Sequence, residues 1–259
     1  MVEAAVAPSS NPRAALLRKL HSLSGVVPLG AFLLLHLWTT ASIGSSQATY
    51  DRQVGFLHGG PFLGFLELVL VLVPLAYHGL YGIIRSLSPR DVNRTYDSDL
   101  MVVLQRVSGA VVLVFVVLHV WEFRVQTWTS GLPVASYSTK LVSDLSSTQY
   151  GVPWIALGTI VGSAASLFHL VNGMTSFCNT WGFATNDAVL RRLRLVFRTF
   201  GILFFVVSAA LVVQVATGSR VFPAEQPGGD ALLCGSAVPS PSAPPSAAPS
   251  ASVLPSPSR

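Results

Sequence analysis

Residues 22 to 43 read SLSGVVPLGAFLLLHLWTTASI, without one Asp, Glu, Lys or Arg, and with a lone histidine, His36, set among leucines. A helix needs about 20 predominantly apolar residues to cross the hydrocarbon of a bilayer, and this run is long enough. Four more stretches repeat the pattern at 61–84, 101–123, 152–178 and 195–215, and the breaks between them hold the turn residues and nearly all the charge. Composition agrees. The chain has 259 residues, 51% hydrophobic and only 10% charged, with a mean hydropathy of +0.58. A soluble domain carries about 25% charged residues. The expectation is an all-α integral membrane bundle of five transmembrane helices.

Charge placement orients it. Net charge is +5, and the basic residues alternate between the ends of the spans. Arg13, Arg18 and Lys19 precede the first span. Arg85, Arg90 and Arg94 follow the second, with Arg106 just inside the third, and Arg191, Arg192, Arg194 and Arg198 lie around the fourth connection. The other two connections hold only Arg52, then Arg124 and Lys140. Positive-inside loops therefore place the N-terminus in the cytoplasm and, after five crossings, the C-terminus outside. This reading of the basic charge leaves no call for nucleic acid as a partner.

Residues 1–16 read as a disordered cytoplasmic segment, 17–217 as the membrane domain, and 218–259 as a disordered Pro-, Ser- and Ala-rich outer tail. No repeat of fixed short period stands out. The first apolar run is a full helix in length rather than the short core of a signal peptide. Cys178 and Cys234 form no cluster-binding or haem-attaching motif, and Cys178 reads as a packing residue.

The chemistry lies in the histidines. His36, His78, His119 and His169 fall one in each of the first four spans, and ionisable groups at that depth mark function by default. Haem iron takes two axial imidazoles, whereas a zinc site needs three or four ligands at one level. At about 1.5 Å per residue, His36 lies roughly 21 Å from Ser22 and His119 roughly 20 Å from Arg106, while His78 lies only about 10 Å from Arg85 and His169 about 15 Å from Asn179. Depth thus pairs His36 with His119 in the outer half and His78 with His169 in the inner half. Two bis-histidine haems fit; a single four-histidine metal site does not. Pro74, four residues before His78, is placed to kink its helix.

Around these ligands, the strings RKLHSLSGVVPLGAFLLLHLW (18–38), LELVLVLVPLAYHGLYG (66–82), LQRVSGAVVLVFVVLHVWE (104–122) and SLFHLVNGMTSFCNTWG (166–182) resemble the dihaem cytochrome b anchor of succinate dehydrogenases and fumarate reductases, of the single-chain, five-helix type. The resemblance spans about 17–215. It implies two protohaem IX groups with the pairing that depth indicates. It also implies an FAD-containing flavoprotein and an iron–sulfur subunit docked on the cytoplasmic side of a bacterial cytoplasmic membrane. No succinate-oxidising site is expected in this chain. Electrons would pass singly from the inner pair to the outer pair and on to a quinone, commonly menaquinone.

Around the pairs, Gln105, Arg106 and Ser108 match the family's LQR-x-[ST]-G string and are candidates for the haem propionates, with His21 and Ser22. Arg106 and His21 read equally as interfacial residues. Glu67 lies three turns outward of His78 and is a candidate quinone-site proton relay or an interfacial glutamate; His58 and Asp51 are weaker candidates. Trp38, Trp121, Trp128 and Trp154 fit an interfacial aromatic belt. Some fumarate-reducing relatives carry an acid two positions before the helix-four ligand, where this chain has Leu167. The alternatives are a stand-alone transmembrane cytochrome with other redox partners, and a haem-free transporter or scaffold.

Overall fold

The computed structural model describes residues 12–87 and 99–219. Arg90, Arg94, Cys234 and nearly all of the C-terminal tail lie outside the described residues, as does most of the N-terminal segment. Five helices are long and apolar enough to cross a membrane: α1 (Pro12–Gly44), α3 (Leu63–Leu87), α4 (Leu100–Ser130), α6 (Trp154–Thr180) and α7 (Asp187–Thr217). Two short helices, α2 (Gln47–His58) and α5 (Tyr137–Ser146), occupy the connections after α1 and after α4. No strand forms among the described residues, only an isolated bridge between Gln149 and Val152.

The spans are longer than the apolar runs because their basic flanks are helical too. α1 begins at Pro12, whose missing N–H costs nothing in a first turn. α7 begins at Asp187, capped by Asn186, whose side chain accepts the Val189 N–H at 3.0 Å. Arg191, Arg192, Arg194 and Arg198 therefore stand on α7 and not in the preceding connection. Arg124, expected in a connection, likewise lies within α4. The expected loops after α1 and α4 contain the unforeseen helices α2 and α5. Pro74, expected to kink its helix, and Pro28 of α1 lie beside or within π turns. Pro28 lies within Gly25–Leu29, and Leu68–Leu72 ends two residues before Pro74. A proline withholds one ladder hydrogen bond and crowds the carbonyl four residues back, and a wider turn accommodates that.

Four helices close a ring: α1 touches α3, α3 touches α4, α4 touches α6, and α6 returns to α1. α7 packs along the outside of α6. Small residues set the close approaches, as in membrane bundles where apolar burial alone gives no drive. A side chain at Gly162 would run into the Phe115 ring between α6 and α4, and a Cβ at Gly201 would stand 2.9 Å from Val171 between α7 and α6. Gly162→Ala overpacks the α4–α6 seam, and we expect a loss of about 1–3 kcal/mol, read as a lower unfolding midpoint of the purified protein in detergent. An unchanged midpoint would show that Phe115 can turn away freely.

The end of the ring bearing Arg85 and Arg106 is the basic end. At the far end, α2 and α5 form a cap. Ile43, Tyr50, Val54 and Tyr137 are buried together there, with Phe123 and Leu141 packed against them. Ser138 donates to Asp51 at 2.9 Å and ties α5 to α2. Burial pushes the Tyr50 hydroxyl up to about 12, helped by the Asp51 carboxylate and Tyr137. Lys140 joins Glu122 at 3.0 Å and Asp144 at 2.8 Å. Burial lowers its affinity for the proton, but the hydrogen bonds to Asp144 and Glu122 outweigh this and raise it.

Candidate functional site

The four histidines meet on the two diagonals of the ring. His36 of α1 and His119 of α4 have ring centroids 5.6 Å apart with planes at 75°. His78 of α3 and His169 of α6 lie 6.1 Å apart at 87°. The first pair lies toward the far end and the second toward the basic end. No group of three or more His, Cys, Asp or Glu that could hold a metal ion occurs among the described residues. The donor sets are thus pairs.

The pair toward the basic end is held by backbone. His78 Nδ1–H donates to the His21 carbonyl at 3.1 Å, with Ser24 Oγ at 3.4 Å. His169 Nδ1–H donates to the Gln105 carbonyl at 3.2 Å, with Ser108 Oγ also at 3.2 Å. Because a carbonyl can only accept, Nδ1 carries the proton on both rings, and Nε2 keeps its lone pair for a metal. Glycines allow this approach. The His78 ring packs where a side chain on Gly25 would stand, and a Cβ on Gly109 would lie 2.9 Å from His169 Cε1.

The other pair is framed by aromatic rings instead. Phe32 stacks beside His36 at 5.6 Å and Phe115 beside His119 at 5.8 Å, with Phe123 at 5.2 Å from His119.

These residues fit an iron porphyrin. A metal about 2 Å from each of two imidazole nitrogens puts the ring centroids roughly 6 Å apart, close to both observed separations. In addition, His21 Nδ1 is buried without a hydrogen-bond partner among the described residues, beside the His78 ring on which His21 stacks at 4.1 Å.

The remaining sequence candidates are distributed as follows. Gln105 is committed to α6: its Nε2 donates to the His169 carbonyl at 3.2 Å and its Oε1 accepts from Asn172 at 2.9 Å. Ser108 donates to the Gln105 carbonyl at 3.1 Å. Arg106 donates to the Ser86 carbonyl at 3.2 Å, closing the end of α3. Ser22 accepts from the Trp181 indole at 3.1 Å, and Lys19 lies over that ring. At the far end, Glu67 forms an ion pair with Arg124, which stands over the Trp128 ring at 5.0 Å. His58 donates to the Val54 carbonyl at 2.9 Å. Asp51 has one oxygen on Ser138 and the other buried without a partner among the described residues. A groove of about 390 Å³ opens near His36, lined by Leu35, Trp38, Thr39, Arg52, Gln53, Phe56 and Leu57. Glu67, His58 and Asp51 are not part of that lining. Leu167 is 2% exposed and packs as an ordinary core residue.

Sequence reading missed Ser24, Gly25, Gly109, Phe32 and Phe115. Each is an unremarkable residue for a membrane helix, and only the partner across the helix interface gives it a role. A signal did exist: Ser-Gly occurs in both α1 and α4, ahead of a Phe and then the histidine.

No protein-family model matches the chain, and no solved structure does. The chain is similar to the succinate dehydrogenase cytochrome b558 subunit of Bacillus subtilis, 32% identical over 167 residues, which cover 64% of this chain and 79% of the relative. With five membrane-spanning helices and that degree of identity across most of the relative's length, the chain belongs to the family of succinate dehydrogenase cytochrome b subunits, multi-pass membrane proteins.

Proposed function

We propose that the chain is the membrane anchor of a succinate:quinone oxidoreductase, and that it binds two b haems, one between His36 and His119 and one between His78 and His169. The single observation that carries this is the meeting of four histidines as two separate pairs, each at the separation that a bis-imidazole metal requires. Each haem, when bound, supplies a one-electron carrier whose potential depends on its axial ligands and their hydrogen bonds.

The protein's own contribution is position and dielectric. The carbonyls of His21 and Gln105 hold the two inner rings with Nε2 free, and the phenylalanines frame the outer rings. Both pairs lie inside a ring of apolar helices. His21, Ser22, Gln105, Arg106 and Ser108 cluster at the basic end, where propionates would be received, and Arg106 offers a guanidinium for a charge-assisted bond. The alternation of basic residues supports a cytoplasmic basic end in a bacterial cell membrane. There a flavoprotein and an iron–sulfur subunit would dock and deliver electrons. The chain has no cluster cysteines of its own, so it needs such donors.

Quinone, in this reading menaquinone, reacts near the outer pair. The groove near His36 is apolar enough for a ring and isoprenoid tail, and Arg52, Gln53 and Thr39 are among its polar groups. Asp51, His58 and Glu67 lie at the same end as proton-exchanging groups.

Purification of the complex from its native membrane tests the proposal. We expect covalent or bound flavin, iron–sulfur signals, and two protohaems per anchor chain by the pyridine haemochrome method. A preparation with haem but neither partner would instead indicate a stand-alone cytochrome, and one without haem would end the cytochrome reading.

A further inference from the structure

Two helices of the ring repeat one another. α1 carries LHSLSGVVPLGAFLLLHLW at 20–38, and α4 carries LQRVSGAVVLVFVVLHVW at 104–121. Aligned on Ser-Gly, Leu20, Ser24 and Gly25 match Leu104, Ser108 and Gly109. Aligned on the histidine, Phe32, Leu35, His36 and Trp38 match Phe115, Leu118, His119 and Trp121. The two alignments differ by one residue, and the additional residue of α1 falls at the π turn Gly25–Leu29. A π turn takes up one inserted residue without disturbing the helix on either side, so the serine and the histidine keep their facing in α1 although they stand one residue further apart than in α4. Their partners repeat as well. α3 has Tyr77, His78 and Gly82, and α6 has Phe168, His169 and Gly173, an aromatic-His-x-x-x-Gly motif in each.

The contacts repeat with the motif. Ser24 donates to the carbonyl of His21 at 2.9 Å, and Ser108 to that of Gln105 at 3.1 Å. Those carbonyls and hydroxyls are the acceptors around Nδ1 of His78 and His169. Gly82 faces His21, and Gly173 faces Gln105. Phe32 and Phe115 stack beside the other two histidines, with interplanar angles of 20° and 23°. Each α1- or α4-type helix thus holds a ligand of one pair and positions a ligand of the other.

We infer that Ser24 and Ser108 are matched positioning residues that aim one and the same histidine pair, His78 and His169, and that Phe32 and Phe115 do the same for His36 and His119. The inference rests on the two-haem reading above. Chemically, a hydroxyl lone pair beside an imidazole N–H makes the ring a stronger donor to a metal, so removing it favours the reduced state. A threonine at the same place keeps the hydroxyl, and its Oγ1 can still bond the carbonyl one turn back.

The test uses the intact complex with Ser24→Ala, Ser108→Ala, Ser24→Thr, Ser108→Thr, Phe32→Leu and Phe115→Leu. Its readouts are redox titration and low-temperature EPR of the haems. We expect each alanine variant to shift the same haem, the one that His78→Ala removes, to a more positive potential with an altered EPR signal. The threonine variants should return both readouts toward the wild type, and the leucine variants should move only the other haem. Outright loss of that one haem in an alanine variant supports the inference as a shift does. Alanine variants acting on different haems, on both, or on neither while both are bound would overturn it. Absence of haem from the wild-type complex would instead defeat the two-haem reading itself.

Discussion

On the two-haem proposal, replacing His36 with alanine is expected to remove one haem of the two, and replacing His119 that same haem; His78→Ala and His169→Ala should each remove the other. The expectation follows from the diagonal geometry. His36 and His119 come from α1 and α4, which face each other across the ring, and their rings lie 5.6 Å apart. His78 and His169 come from α3 and α6 at 6.1 Å. Losing either member leaves a single imidazole in an apolar site, where the affinity that depended on two ligands collapses. Haem content per chain should fall by half in every single variant, and redox titration shows which component is missing. The combination His36→Ala with His119→Ala should lose no more haem than either alone, whereas His36→Ala with His78→Ala should lose both. If His36→Ala and His78→Ala removed the same component, the pairing would be wrong.

The second large effect concerns Glu67 and Arg124 at the far end. Their ion pair joins α3 to α4, two helices that otherwise touch little, since no residue of α3 is buried. Removing one member of a largely desolvated pair leaves an uncompensated charge, at a typical cost of about 3–5 kcal/mol, while replacing both with apolar groups is often neutral. The side chains are 19% and 21% exposed, so the low end, about 3 kcal/mol, is the fair figure. Arg124→Leu should lower the thermal midpoint of the complex in detergent by several degrees, and Glu67→Leu added to it should recover most of the loss. The double-mutant cycle isolates the pair. With Glu67→Leu measured alone as well, losses that simply add in the double variant would show that the pair contributes nothing. Quinone reduction measured on Glu67→Gln separates the roles further: with both haems bound and the fold intact, lost turnover marks proton exchange at Glu67, and unaltered turnover marks a structural pair.

Much of this protein was readable without coordinates. Five long apolar runs with very few charges point to one solvent, a bilayer, which leaves the backbone no partner except its own helix. The four histidines announced themselves by their cost in that solvent, and the fixed rise of a helix converted their residue numbers into depths. Helix ends were less legible. The basic flanks at Arg13 to Lys19 and Arg191 to Arg198 look like connections by composition, yet the helices simply continue through them.

What tertiary structure alone decided is how the histidine rings are held. Depth along one helix says nothing of rotation about its axis, and so it could not place the His21 and Gln105 carbonyls against Nδ1 of His78 and His169. Nor could it show that Glu67 is tied to Arg124. Ser24, Gly25 and Phe32 have no chemistry of their own at those positions, and they acquire it only from the ring packed against them. The membrane and the level of each histidine are properties of single helices, encoded locally. Ring orientation and tautomer are properties of two helices in contact, and these appear only when the ring closes.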